Sequence, residues 1–554
     1  MDTAQLANET GTTNGRLGDR IPVPGWRRTR SPARAQGGAP TAASSVQDGA
    51  LWPPGMSLRQ RLSQRARMWV WEQVMATIAE ATDVPQVQVP PVESDWVKPI
   101  KVGRRYPGLS DTPMIFSELT PPSERHTLFE SAAVRATLWL KEWYSLGRHV
   151  LQPYTGVGAP YPERFARLQP PPRIPEDFTL QDKLAGIAQR GPFSFQTRKA
   201  GTDEYEIDLT LLESYTPRAP FIPAGGLARF RRADDRLVTV SVDFGGRTYR
   251  PGEPGWALTE KRFLAGLNSY TTFIEHLLFL HIATAGTWGI VARMALSTRH
   301  PLRVLLQPFT QETNRVNNYN IDGLILSENS NVPLYSGYSL EQSNTLLRIA
   351  AQGFDVRVMD PEKRAEQQGQ LNDGLFPTVQ SAVDLFRIYQ KFTDSWCETY
   401  LQEIDLETRI FCRELDHRVA NGVKTLIGID DWQDLRREHV SHLLATGAFA
   451  ASVGHHVVND LTRDYMLAFH LMPPALDGDG RPSLGIVLEK QASVLTAGIK
   501  RYHLISEAAM PNDTARKLWD GFQQELKAYQ RDLAADPVAA YRIHPRQVCS
   551  SIHA

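Results

Sequence analysis

Two histidines five residues apart lie in an apolar stretch of the sequence that has helical character. They are His276 and His281, in the segment YTTFIEHLLFLHIATAG. On a regular α-helix, residues at this spacing point about 140° apart, so the two imidazoles could not bind the same metal ion. A π-helical turn would bring them onto one face, and such turns cluster at functional sites. The spacing therefore leaves two interpretations open, a metal site on a π-helical turn or two unrelated histidines in a buried helix.

A second histidine-containing segment offers further ligands for a metal ion. In ASVGHHVVND, His455 and Asn459 are four residues apart and therefore share one face of a helix. Imidazole nitrogens bind iron, zinc or copper, whereas an amide oxygen is a weak and neutral ligand. Taken alone, a histidine in an apolar helix is more often a core residue than a ligand. The neighbouring His456 is predicted to point elsewhere and is assigned no role.

The overall composition is typical of a globular protein and excludes several classes of function. The chain has 554 residues, a formal net charge of +0, 42% hydrophobic residues and 22% charged residues. This charge balance gives no support for a nucleic-acid partner. No long uncharged apolar run or signal-peptide pattern is present, so no transmembrane helix or stable membrane anchor is expected. Three scattered cysteines fit a reducing compartment, and a cytoplasmic location is expected.

The sequence pattern predicts a disordered tail followed by a large, mainly helical domain. Residues 1–55 are rich in Gly, Pro, Ser, Thr and Arg and cannot bury much apolar surface. Alternating residues at 235–244 predict a strand within a minor β component near residues 200–250. A capping box, Ser339 with Gln342, begins one of the predicted helices. Helices are predicted from Met56 onward and at residues 131–147, 259–299, 339–354, 378–404, 437–467 and 513–535.

Together, the two histidine segments resemble the lipoxygenase family. That family has a His-x4-His helix followed by LS…HP, LL-x-P and T-x-x-x-N, and later an A-S-x-x-H-x-x-x-N segment. The matching residues are His276, His281, Leu296-Ser297, His300-Pro301, Leu305-Leu306, Pro308, Thr313, Asn317, Ala451, Ser452, His455 and Asn459. Upstream, DKLAGIAQRGP at 182–192 resembles another family segment, and the resemblance extends over about residues 180–554.

The resemblance implies a fold and a metal centre. The fold would be a mainly α, lipoxygenase-like catalytic domain over residues 56–554 with a minor antiparallel β component and no N-terminal β-barrel. His276 and His281 would lie on the π-helical turn known in the family. The cofactor would be non-haem iron, with manganese as the alternative because the same ligands suit both ions. The implied ligands are His276, His281, His455, Asn459 and the C-terminal carboxylate of Ala554, with the His553 imidazole as an alternative to the carboxylate.

The resemblance also implies a reaction and a substrate pocket. A metal-bound hydroxide would abstract hydrogen from a polyunsaturated fatty acid, and O₂ would then add to give a hydroperoxide. No side chain is assigned as a catalytic acid or base, and no oligomeric state is predicted. The implied substrate-binding residues are Asn320, Leu324 and Ile325. The family has glutamines near the ligands at the positions of Thr272 and Thr462.

Departures from the family pattern keep two other functions open. Asn320 replaces a small residue, and its amide would crowd an oxygen channel or bind a polar substrate. Burial of that amide without a partner would cost about 1–3 kcal/mol. The first alternative is therefore an iron enzyme that hydroxylates, desaturates or rearranges a polar, non-lipid intermediate. The second alternative is a non-catalytic metal-binding scaffold. Arg293, Arg299 and Arg315 are candidate partners for a fatty-acid carboxylate, although each is expected to be a surface or structural charge instead.

Overall fold

The computed structural model describes most of the chain after residue 96. The described residues are 97–117, 121, 124, 182–318, 336–419, 422–467, 472–481, 503–536 and 538–552. Outside them lie the predicted tail, the two predicted N-terminal helices, the predicted pocket residues Asn320, Leu324 and Ile325, and His553 and Ala554.

The main β component is one antiparallel sheet of five strands in sequential order, as the strand pattern near 200–250 predicts. The predicted strand 235–244 corresponds to strand β6 (Arg236–Phe244), in which Leu237, Thr239 and Ser241 are buried at alternate positions. Gly245 and Gly246 both have positive φ and form the turn that follows, a conformation that glycine adopts without strain. A separate two-stranded pair, β1 with β2, was not predicted. The strands are β1 (Pro99–Lys101), β2 (Ile115–Ser117), β3 (Arg198–Lys199), β4 (Glu204–Leu209), β5 (Gly226–Ala233), β6 (Arg236–Phe244) and β7 (Arg247–Tyr249).

Helices make up the rest of the core, which confirms the mainly α class. The longer helical elements are α1 (Lys183–Gln189), α2 (Thr210–Glu213), α3 (Trp256–Ala295), α4 (Pro301–Thr310), α5 (Leu340–Gln352), α6 (Pro361–Gln367), α7 (Pro377–Tyr400), α8 (Leu406–Arg418), α9 (Val423–Ile427), α10 (from Arg437 to Leu467) and α11 (Asp513–Asp532), of which α3 and α10 include π-helical stretches. Residues 313–318 are also helical. Short 3₁₀ turns are Val102–Arg104, Pro107–Leu109, Pro192–Gln196, Val356–Met359, Trp432–Asp434, Leu533–Ala535, Ala539–Tyr541 and Pro545–Gln547.

The helix α3 runs through the centre of the core. By length and composition it could cross a membrane, with a mean hydropathy of 1.3, but 94% of its most apolar window is buried within the protein. A helix that is apolar all round is the kind that a large core encloses. It ends at Ala295, earlier than the predicted stop before Pro301, because Leu296 is extended and the Ser297 N–H is bound by Glu407.

The helices α3 and α10 lie unusually close together. A Cβ atom on Gly447 of α10 would come within 2.2 Å of the Trp288 ring of α3, so only glycine fits there. The Trp288 indole N–H donates to the Leu443 carbonyl oxygen over 3.1 Å, which fixes the contact. This close packing brings the two histidine-containing segments of the sequence side by side in the core.

Candidate metal centre

Stretches of π-helix set the positions of His276, His281 and His455. In α3, residues Thr271–Gly286 form a π-helix, which turns His276 and His281 toward the same side. This confirms the π-helical turn that the resemblance implies. The helix α10 contains two further π-helical stretches, Ala450–Gly454 and Val457–Leu461, on either side of His455. Each wide turn adds a residue to the helix and thereby re-aims the side chains that follow it.

The three imidazoles converge on one point in the core. The Nε2 atom of His276 lies 3.0 Å from that of His455 and 3.1 Å from that of His281. The Nε2 atoms of His281 and His455 are 3.2 Å apart. A neutral imidazole carries only one N–H, so three such nitrogens cannot all hydrogen-bond to one another. A metal ion about 2.1 Å from each nitrogen would instead hold its ligands about 3 Å apart at right angles. The triangle therefore fits a single metal ion.

Burial keeps the imidazoles of His276 and His281 in the neutral form that binds metals. It holds the pKa of His276 well below its ordinary value, and the neighbouring His281 adds to this effect. Burial also lowers the pKa of His281 to about 4, although its hydrogen bond to Asn317 opposes the shift. At neutral pH both rings therefore have a free lone pair for a cation.

The side chain of Asn317 fixes the orientation of His281. Its Oδ1 atom accepts from the His281 Nδ1–H over 2.9 Å, and its Nδ2 atom donates to the His281 carbonyl oxygen over 2.8 Å. With its proton on Nδ1, the ring presents the Nε2 lone pair to the cluster. A Cβ atom on residue 286 would lie 2.7 Å from Asn317 Nδ2, so the glycine at this position leaves the space that the Asn317 side chain occupies. The sequence match included Asn317, but its role was not predicted.

Replacement of Asn317 by leucine is expected to weaken metal binding. The change leaves the His281 Nδ1–H and carbonyl oxygen without their partner, and loss of such a support typically lowers metal affinity about 10–100-fold. Affinity for Fe²⁺ is measured by competition with a chelator. Asn268→Leu is the control, because Asn268 donates two equally buried hydrogen bonds, to Met472 and Pro473. Unchanged affinity in Asn317→Leu would contradict the role of this side chain.

The other predicted residues near the histidines lie on the same two helices. Asn459 is half-buried one helical turn beyond His455, and its role as a ligand stays a prediction. The Thr462 hydroxyl donates to the carbonyl oxygens of Val458 and Asn459, over 2.5 and 3.1 Å. The Thr272 hydroxyl lies 3.5 Å from Asn268 Oδ1. Both threonine hydroxyls therefore bond within their own helices. The proposed roles of Asn320, Leu324, Ile325 and Ala554 also stay predictions.

The last described residues of the chain pack close to this centre. Ile552 is fully buried, and its carbonyl oxygen lies 3.5 Å from the hydroxyl of Thr313. Thr313 stands one helical turn before Asn317, the residue that orients His281. The preceding stretch is held by a hydrogen bond from the Leu504 N–H to the Val548 carbonyl oxygen, at 2.9 Å. Residues 548–552 therefore approach the metal centre on the side of His281.

The three candidate arginines do not form a group at the metal centre. Arg293 is buried and its guanidinium lies 2.7 Å from the carboxylate of Glu124. The side chain of Arg315 is buried in an ion pair with Glu312, and the backbone N–H of Arg315 donates to the same Glu124 carboxylate over 2.8 Å. Arg299 is exposed. The two buried arginines thus have the structural roles expected from the sequence.

Comparison with solved structures shows the fold. The chain is similar to a Delta413-417:GS LOX in complex with arachidonate, with TM-score 0.65 and 14% identity over 88% of this chain and 82% of that chain. A 9R-lipoxygenase from Cyanothece PCC8801 gives TM-score 0.58 and 12% identity over 81% and 76% of the two chains. A calcium-dependent 11R-lipoxygenase gives TM-score 0.58 and 14% identity over 67% and 65%. The chain therefore has the lipoxygenase fold.

The likeness is one of structure and not of close sequence. The sequence matches no protein-family model and no curated protein. At these low identities the comparison shows the shared fold, and within it this chain contains the cluster of His276, His281 and His455 that could hold a metal ion.

Proposed function

We propose that this protein is a non-haem iron dioxygenase of the lipoxygenase type, which adds O₂ to a polyunsaturated fatty acid to give a hydroperoxide. The observation that carries the proposal is the triangle of three imidazole nitrogens, 3.0–3.2 Å apart, inside the lipoxygenase fold. The similar structure that contains arachidonate supports this class of substrate.

Each part of the site has a defined task in this function. His276, His281 and His455 would hold the iron, and Asn459 is the proposed fourth protein ligand. Bound iron supplies one-electron redox chemistry, which removes a hydrogen from a weak C–H bond so that O₂ can add to the carbon chain. The protein binds and orients the reactants, and Asn317 keeps the His281 ring aligned. The buried, mainly apolar surroundings exclude bulk water, which suppresses side reactions of a carbon radical.

The test is oxygen consumption by iron-loaded protein with an N-terminal tag, across a panel of polyunsaturated fatty acids. We expect O₂ uptake together with a conjugated-diene hydroperoxide product for at least part of the panel. His281→Ala protein, prepared in the same way, is the control and is expected to consume no O₂. Protein that holds iron but consumes no O₂ with any of these lipids would contradict the proposal and favour the polar, non-lipid substrate instead.

A further inference from the structure

A buried histidine–aspartate pair lies directly beside the metal ligands and has no part in the function described so far. It consists of His456 and Asp460, which are 3% and 7% exposed. His456 follows the ligand His455 in the sequence, and Asp460 follows Asn459. Buried carboxylates are rare unless they are paired, so this one calls for a physical reason.

The aspartate is held firmly and contacts a proposed ligand. Its Oδ2 atom lies 2.6 Å from Nδ1 of His456, a short distance typical of a hydrogen bond to a charged acceptor. Its other oxygen, Oδ1, lies 3.5 Å from Nδ2 of Asn459, close enough to attract the amide hydrogens. An Asn459 side chain that turns its NH₂ group toward Asp460 keeps its own carbonyl oxygen available for a metal ion.

The carboxylate therefore lies buried next to the amide of the proposed ligand Asn459. A negative charge at this position favours a metal cation bound nearby, and in a buried site it is weakly screened. His456 holds the carboxylate at this position through the 2.6 Å contact between its Nδ1 and Asp460 Oδ2.

We propose that Asp460, held in place by His456, is a positioning residue of the metal centre that supplies a negative charge beside the proposed ligand Asn459 and orients its amide. The inference rests on the proposed iron site and deepens it. A purely structural pair would stabilise α10 without any effect on the metal, and the two roles predict different results.

The experiment measures Fe²⁺ binding without substrate, by anaerobic titration of the full chain. Asp460→Asn keeps the size of the side chain and an acceptor oxygen but removes the charge. We expect Fe²⁺ affinity to fall about 10–100-fold, the usual effect of losing an outer-shell partner. The Fe³⁺/Fe²⁺ midpoint potential should also rise, because a nearby negative charge stabilises Fe³⁺ more than Fe²⁺ and the variant lacks that charge.

Two further variants separate this role from a loss of stability. His456→Asn keeps an N–H donor near the position of Nδ1 and keeps the carboxylate, so its Fe²⁺ affinity should stay close to wild type. Asp405→Asn removes the carboxylate of another histidine pair, with His300 at 3.0 Å, and retains a side chain that caps α8. It should bind Fe²⁺ normally.

The possible outcomes each decide one point. Wild-type affinity and midpoint potential in Asp460→Asn would overturn the inference alone, as would equal losses of Fe²⁺ binding in all three variants. Wild-type protein that binds Fe²⁺ but consumes no O₂ would overturn the proposed function and leave this inference standing. Wild-type protein that binds no Fe²⁺ would overturn both.

Discussion

Replacement of either His281 or His455 by alanine is expected to leave the protein without bound iron. Each change removes one of three nitrogens that meet within 3.2 Å of one another, and the remaining pair cannot hold the ion against chelators. The protein should still fold, because alanine is tolerated in a helix and the removed ring leaves no buried charge. Iron content is measured by mass spectrometry on purified protein after iron loading and gel filtration.

The matched control is His417→Ala. This histidine is exposed near the end of α8, so its loss tests only the removal of an imidazole from the chain. It should retain the iron content of the wild type. Full iron content in both His281→Ala and His455→Ala would show that the ion is held elsewhere, and the assignment of the site would be wrong.

The second large effect is expected from Arg364→Met, which breaks a buried ion pair next to the metal centre. Glu275, the residue before His276, accepts from Arg364 over 2.8 Å, and both side chains are at least 90% buried. Arg364 also donates to the Phe195 carbonyl oxygen over 2.8 Å. Methionine would leave the Glu275 carboxylate without its counter-ion, which typically costs about 3–5 kcal/mol in the free energy of unfolding. Urea unfolding followed by circular dichroism measures the change.

The double variant Glu275→Leu with Arg364→Met shows whether the unpaired charge is the cause. Buried ion pairs replaced by apolar residues are often neutral or more stable, so the double variant should recover most of the lost stability. If Arg364→Met alone costs less than about 1 kcal/mol in the free energy of unfolding, the range of an exposed ion pair, then solvent screens the pair of Glu275 and Arg364. An equal loss in the double variant would point to packing instead of charge.

Elements with strong local signals could be predicted from the sequence. The amphipathic pattern at 513–535 corresponds to α11 with the 3₁₀ turn after it. The capping box of Ser339 and Gln342 is present at the start of α5, with both of its hydrogen bonds. The pair of β1 and β2 was missed because each strand has only three residues, too few to show alternation.

The sequence pointed to the three clustered histidines of the candidate site but not to the side chains that support them. The spacing of His276 and His281 allowed either a π-helix or two unrelated histidines, because only a wide turn brings residues five apart onto one face, and the family resemblance favoured the π-helix. The π-helical stretches around His455 gave no such signal, since a four-residue spacing already suits an α-helix. The contacts of Asn317 with His281 join residues 36 apart, and Glu275 and Arg364 are 89 apart. Such pairs depend on how the helices pack, and no local pattern encodes that.

The most direct test of the account is a crystal structure of iron-loaded protein with anomalous diffraction recorded at the iron absorption edge. We expect one anomalous peak in the core, about 2.0–2.2 Å from the Nε2 atoms of His276, His281 and His455. A peak at another place, or iron-loaded crystals with no peak between these three nitrogens, would contradict the central claim that the histidines of α3 and α10 form a single metal centre.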